Sequence, residues 1–295
     1  MILGVHHVTI ATADQAQLIP LLGGFEEPRL AVERSGERLL AAPNVYLRSV
    51  PPKTPAPRRA PLPHALGLAH LCLQSPDAAA LWETLATDAE IAFTAPLTGL
   101  GGPFRYAYGY TPEGLMWELE ETQAVPEAAP RAWLAHAAFV TQNLDRLAGF
   151  YGSLTGRPVT PGAAIAGNRR ADKITGLAGV AMTPAWVQGL NLGLEFWRFD
   201  APAAPPPLPR DGAGIIGLCL QTDDLTADTE AALEAGARLV SPPAPWSGGQ
   251  HVRLEDPDGN PLALVALPAD HALAVSRLPH ADILARHARA LDALP

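Results

Sequence analysis

The sequence predicts an α+β protein built from four βαβββ modules and closed by a C-terminal helix. Three observations carry that prediction. An apolar run followed by a helical pattern occurs four times, the spacing inside it is constant, and proline-rich stretches separate the copies. The copies open VHHVTIATADQ, LAHLCLQSPDA, LAHAAFVTQNL and IIGLCLQTDDL. His7 precedes Asp14 by seven residues, and the same interval separates His70 from Asp77, His136 from Asn143 and Gly217 from Asp224. Asp and Asn suit that place, because their side chains accept a hydrogen bond from a backbone N–H that the first helical turn leaves unpaired.

Short β-like runs follow each helical pattern, as in FRYAYGYTPEGLMWELEE and HVRLEDPDGNPLALVAL. In the second, Asp-Gly-Asn between apolar runs signals a hairpin. Proline lacks the N–H that would continue a sheet or helix, so VPPKTPAPRRAPLPHA, TQAVPEAAPRA and FDAPAAPPPLPRDGAG read as extended connectors. These divide the chain into modules 1–52, 65–123, 131–201 and 212–268. Consecutive modules are expected to pair, giving a first domain over 1–125 and a second over 131–268. The tail, 269–295, has apolar positions at helical spacing and is expected to pack on the outside.

With 295 residues, 48% of them hydrophobic, the chain can bury a sizeable core. Its net charge of -9, from 21 basic and 30 acidic residues, offers no footprint for nucleic acid. Cys72 and Cys219, at matching places in two modules, read as buried free thiols. The N-terminus has no basic leader region, and no apolar run approaches the ~18 residues of a membrane span. A cytoplasmic protein with no membrane partner is expected.

Strand alternation sorts the polar residues by face. His7, Thr9 and Ala11 share one face, with His6 on the other. His70, Cys72 and Gln74 share a face, as do Met116, Glu118 and Glu120. A lone strand histidine is more often a hydrogen-bonded core residue than a ligand.

Repeated βαβββ units with His in the first strand, and the strand endings TPEGLMWEL and DPDGNPLAL, resemble the vicinal oxygen chelate superfamily. That group includes glyoxalase I, methylmalonyl-CoA epimerase, fosfomycin- and bleomycin-resistance proteins and extradiol ring-cleaving dioxygenases. The resemblance covers about residues 4 to 267. It implies paired modules whose mixed sheets form two cups, one around a divalent metal. Family positions make His7, His70 and Glu118, four residues after Gly114, the implied ligands. Two imidazoles and one carboxylate are the set of non-haem Fe(II) oxygenases. Fe(II) is therefore the favoured ion, and Mn(II), Zn(II) or Ni(II) could use the same groups.

Tyr108, three residues before Thr111-Pro112, matches a family tyrosine that hydrogen-bonds substrate oxygen. Glu120 is the reserve carboxylate and a candidate proton carrier. No histidine stands in TAPLTGLGGPFRYAYGY, where such dioxygenases carry an acid–base histidine, and His64 in the linker is the only candidate replacement. Gly217 and Ala263 cannot ligate, so the second half is expected to lack a complete site, with His136 and Glu195 as a structural polar pair. The resemblance favours an Fe(II) extradiol-type dioxygenase. The alternatives are a metal-dependent isomerase, epimerase or glyoxalase-type lyase, and a small-molecule binding protein. The partner expected is a small substrate with adjacent oxygens and an aromatic or hydrophobic body. Unit exchange between chains would allow a homodimer.

Overall fold

The computed structural model describes residues 1–14, 29–34, 36–54, 62–88, 90–209 and 211–294. The first module provides β1 (Ile2–Ala11), β2 (Arg29–Arg34), β3 (Glu37–Ala41) and β4 (Tyr46–Val50). Its expected helix after Asp14 lies outside the described residues. The second consists of β5 (Gly67–Ser75), α1 (Ala78–Asp88), β6 (Ala92–Phe93), β7 (Thr98–Gly99), β8 (Phe104–Tyr110) and β9 (Met116–Thr122). In the third, β10 (Trp133–Val140) and α2 (Leu144–Thr155) precede β11 (Val159–Pro161), β12 (Ile165–Ala166), α3 (Arg169–Thr175), β13 (Ala181–Val187) and β14 (Gly193–Ala201). The fourth holds β15 (Gly214–Thr222), α4 (Leu225–Glu234), β16 (Arg238–Trp246), β17 (Gly249–Glu255) and β18 (Pro261–Ala266). After it come a 3-10 turn, Val275–Arg277, and the C-terminal helix α5 (Ile283–Asp292).

Two of the four helix-start signals act as read. Asn143 Oδ1 accepts from Arg146 N at 3.1 Å and caps α2, which ends at Gly156 with φ +64°. Asp224 Oδ1 accepts from Ala227 N at 3.0 Å and caps α4. Gly259, φ +83°, turns the β17–β18 hairpin, a conformation that glycine adopts without Cβ strain. Both cysteines are free and buried.

The modules do not pair consecutively. One sheet runs β16-β17-β18-β15-β1-β4-β3-β2 and joins the first and fourth modules. The other runs β11-β13-β14-β10-β5-β9-β8-β6, with β12 on β13 and β7 on β8, and joins the second and third. The expected domains over 1–125 and 131–268 are therefore corrected to an inner pair and an outer pair. Connector length permits this arrangement. Residues 123–132 separate β9 from β10, whereas residues 51–66 and 202–213 form somewhat longer connectors after β4 and β14. An extended proline-rich connector advances about 3.1 Å per residue, so those two can cross from one sheet to the other.

At the centre of each sheet the opening strands of its two modules run antiparallel, β1 with β15 and β5 with β10. Each pairing slips by one residue at matching places: between Val5 and His7 in β1, and between Leu134 and His136 in β10. Two asparagines satisfy the backbone there. Asn191 Oδ1 accepts from Val5 N (2.8 Å), while its Nδ2 donates to Val5 O (2.8 Å) and Asn44 O (2.6 Å). Asn44 mirrors it: Oδ1 accepts from Leu134 N (3.1 Å), and Nδ2 donates to Leu134 O (2.7 Å) and Asn191 O (2.6 Å). This buried pair joins the two sheets. The main apolar core, including Val5, Val8, Leu71, Leu134, Phe139 and Leu220, spans both.

The tail does not lie passively outside. Leu273, Val275 and Leu278 pack with Tyr46, Cys219 and Val265 against the outer-pair sheet. Helix α5 then crosses to the inner pair, where its buried His287 lies against Trp133 and Phe104.

Candidate metal centre

Four strands of the inner-pair sheet each deliver one donor. His70 comes from β5, Glu118 from β9, His136 from β10 and Glu195 from β14. Register explains the convergence. His136 stands opposite Cys72, which lies beside Glu118, and His70 stands opposite Ala138, which lies beside Glu195. The donors therefore sit two by two across a pseudo-twofold axis.

Histidines and carboxylates alternate around a closed ring. Glu118 Oε2 is 3.2 Å from His70 Nε2 and 2.9 Å from His136 Nε2, and Glu195 Oε2 is 3.6 and 3.2 Å from the same two atoms. All four donor atoms lie within 4.8 Å of one another. Ligands at about 2.1 Å from one ion stand about 3.0 Å apart in an octahedron and about 3.4 Å apart in a tetrahedron. The ring has that size. His70 Nε2 is buried and has no hydrogen-bond partner of acceptable angle, although both carboxylates stand close. His136 Nε2 and Glu118 Oε2 share a hydrogen bond at 2.9 Å, and the convergence of all four donor atoms on a common point fits a divalent cation.

Burial alone would lower both histidines and raise both carboxylates. Mutual attraction outweighs it: His70 and His136 are pushed up, Glu118 and Glu195 down. Trp186 Nε1 donates to Glu195 Oε1 at 3.0 Å, which leaves Oε2 facing the ring. Gln74 Nε2 donates to Glu120, whose carboxyl is pushed up to about 8 by burial and then by Glu118. Burial and the same carboxylate hold the Tyr108 hydroxyl protonated, and its ring lies 5.2 Å from His70.

Of the expected residues, the fold brings together His70, Glu118, Glu120 and Tyr108, and leaves His7 out. His7 belongs to the outer-pair sheet, opposite Cys219. Its place in the ring is taken by His136, and Glu195 completes the set, so these two are neither a separate polar pair nor a second site. His64, whose ring lies 5.8 Å from that of Phe199, is not among the residues lining the inner cup. Carrying the register to the outer pair gives His7, Gly217, Ala263 and Arg48 where the inner pair has His136, His70, Glu118 and Glu195. One ligand remains, and a guanidinium replaces a carboxylate. The slip in β1 also brings His6 onto His7, Nδ1 to Nδ1 at 2.8 Å, against the alternation expected of the strand. His6 Nε2 meets Leu273 O at 3.0 Å, so the tail occupies the second cup.

The inner cup encloses about 680 Å³ and is lined by Glu118, Glu120, His136, Glu195, Tyr108 and mainly apolar walls. Sequence reasoning missed Trp186 as a partner of Glu195 and α5 as a wall. Trp186 is directly opposite Glu195 in the β13–β14 pairing, so strand matching could have found it.

A family described as Glyoxalase-like domain matches residues 136–265. Glyoxalase I from Zea mays superposes with a TM-score of 0.64 at 17% identity, over 89% of this chain and 92% of that one. A Bacillus subtilis protein titled "putative dioxygenase" superposes at 0.57 with 13% identity, over 100% of this chain and 97% of that one. Residues 136–265 thus match a glyoxalase-like domain, and the chain as a whole shares the fold of these two structures. No curated protein sequence matches it. The matched 136–265 stretch contributes one module to each sheet. Among the described residues, no helix is long and apolar enough to cross a membrane.

Proposed function

We propose that this protein is a metal-dependent isomerase or lyase acting on a small substrate with two adjacent oxygens. His70, Glu118, His136 and Glu195 would hold the ion. The observation that carries the reading is the second carboxylate. Two imidazoles and one carboxylate form the set that leaves positions open for oxygen beside a chelated substrate. A fourth protein donor takes one of those positions and suits proton transfer better than oxygen activation.

When bound, the metal supplies Lewis acidity to the two substrate oxygens. The protein does the rest. Glu120, held by Gln74 at the cavity wall, carries the proton between neighbouring substrate atoms, and Tyr108 donates a hydrogen bond to a substrate oxygen. The apolar walls keep water from that proton.

The Fe(II) extradiol-type dioxygenase is the second reading, favoured by Tyr108 standing beside His70. The test loads the protein with Zn(II), Ni(II), Mn(II) or Fe(II) and offers α-hydroxyketones in deuterated water and catechols in aerated buffer. Deuterium incorporation without oxygen uptake is expected. Oxygen uptake with ring cleavage under Fe(II) would overturn the isomerase reading. Protein that takes up no metal would leave a binding protein.

A further inference from the structure

The walls of the inner cup say which molecules fit above the four donors. Phe104, Tyr106, Met182 and Trp197 line the sheet side, Ile174 comes from α3, and Leu284 and Leu291 come from α5. Among the described residues, no lysine or arginine lines the cup. The neighbouring cations face elsewhere. Arg105 pairs with Glu121, Arg170 Nη1 donates to Gly99 O at 3.3 Å, and Arg286 bonds Asp282 and Glu127 O. On α3 the lining residues are Ala171, Ile174 and Thr175, so Arg169, Arg170 and Lys173 stay out of the wall. Arg157 packs near Gly189 without joining the lining.

Charge at the floor adds to this. Glu118 and Glu195 together cancel the two charges of a divalent ion, and both histidines are neutral when they ligate. Loaded, the floor has no surplus positive charge to draw in an anion. An anionic group buried here would lose its hydration without gaining a partner. The cavity, at about 680 Å³, lies within the ~300–1,000 Å³ that drug-sized ligands occupy.

We infer that the substrate is uncharged and carries an apolar body of ring-system size, and that the cup selects against anionic molecules, sulfonates included. The selection belongs to the walls. Its coupling to adjacent oxygens rests on the metal-centre reading above.

Trp186 and Trp197 line the cup, so quenching of tryptophan fluorescence reports occupancy. Three probes separate the two ideas: 2,3-dihydroxynaphthalene, its 6-sulfonate, and 2-naphthol, each titrated into Zn(II)-loaded and EDTA-treated protein. We expect the neutral diol to bind at least tenfold tighter than the sulfonate with or without zinc. The diol's advantage over 2-naphthol should appear only with zinc and vanish in Glu118→Gln. Leu284→Lys, on the α5 wall, should strengthen sulfonate binding about tenfold, so that the diol-to-sulfonate affinity ratio falls toward one. Equal or tighter sulfonate binding by the unaltered protein, or no quenching by any probe, overturns the inference. A diol advantage that ignores zinc overturns the metal-centre reading and leaves charge selection standing.

Discussion

At the scale of single residues, the ring of four donors makes direct predictions. Glu118→Gln removes the charge that touches both histidines, and His136→Ala removes a donor outright. Each should weaken metal binding at least 100-fold in a chelator competition, with the circular dichroism unchanged. His7→Ala should leave metal content as it was, since His7 lies in the other cup beside Arg48. Loss of metal on His7→Ala would return that residue to the ligand set. Trp186 acts one step out. Trp186→Phe keeps the ring and deletes the N–H that turns Glu195 toward the centre. Losses of this kind typically weaken metal binding by about 10–100-fold, and isothermal titration would show it.

Elements bring their own predictions. The slips in β1 and β10 leave backbone groups that only Asn44 and Asn191 satisfy. Asn191→Leu would strand the N–H and C=O of Val5 and the C=O of Asn44 inside the core. Three unsatisfied buried groups point to a loss of about 3–5 kcal/mol, read as a shift in urea midpoint. The tail has a pH-dependent hold on both cups. Burial pushes His6 and His287 down to about 4 from the ordinary 6.5, and each takes part in an anchor: His6 with Leu273 O, His287 with Thr122 Oγ1 at 2.9 Å. The charged groups facing His6 are His7 and His271, whereas Thr122, Phe104 and Trp133 surround His287. A depressed histidine pKa means that the unfolded chain binds more protons between the two values. Stability from these neutral rings is therefore full above about pH 6.5 and is lost as pH falls toward 4. Tm should drop across that window, and His287→Leu should flatten part of the drop. An unchanged slope would show that the helix is held by other contacts.

For the whole molecule, the four-donor ring in the inner cup, set against His6, His7 and Cys219 beside Arg48 in the outer one, predicts one metal ion per chain, not two. Metal analysis of the reconstituted protein checks the number directly. Because an ion bound only by the folded chain stabilises it by RT ln(1 + [L]/Kd), EDTA should lower Tm, and restored Zn(II) at about 100 Kd should return about 2.7 kcal/mol. Two ions per chain would mean that His6, His7 and Cys219 also bind, despite Arg48.

By itself the sequence determined what short-range physics sets. Seven-residue intervals placed the caps at Asn143 and Asp224, Gly259 marked its hairpin, and strand alternation put Glu118 with Glu120 and His70 with Gln74. Family resemblance added that such strands enclose a metal, and His70, Glu118, Tyr108 and Glu120 stand in one cup. The partner strand was decided only by tertiary structure. Choosing between His7 and His136 requires knowing which strand lies against β5, and no local pattern records that neighbour. The sheet order records it: β5 pairs with β10, which joins the second and third modules, while β1 pairs with β15, which joins the first and fourth. The one-residue slips had the same standing. A slip depends on both strands of a pair and on the asparagines that satisfy it from distant turns, so His6 meets His7 although alternation parts them.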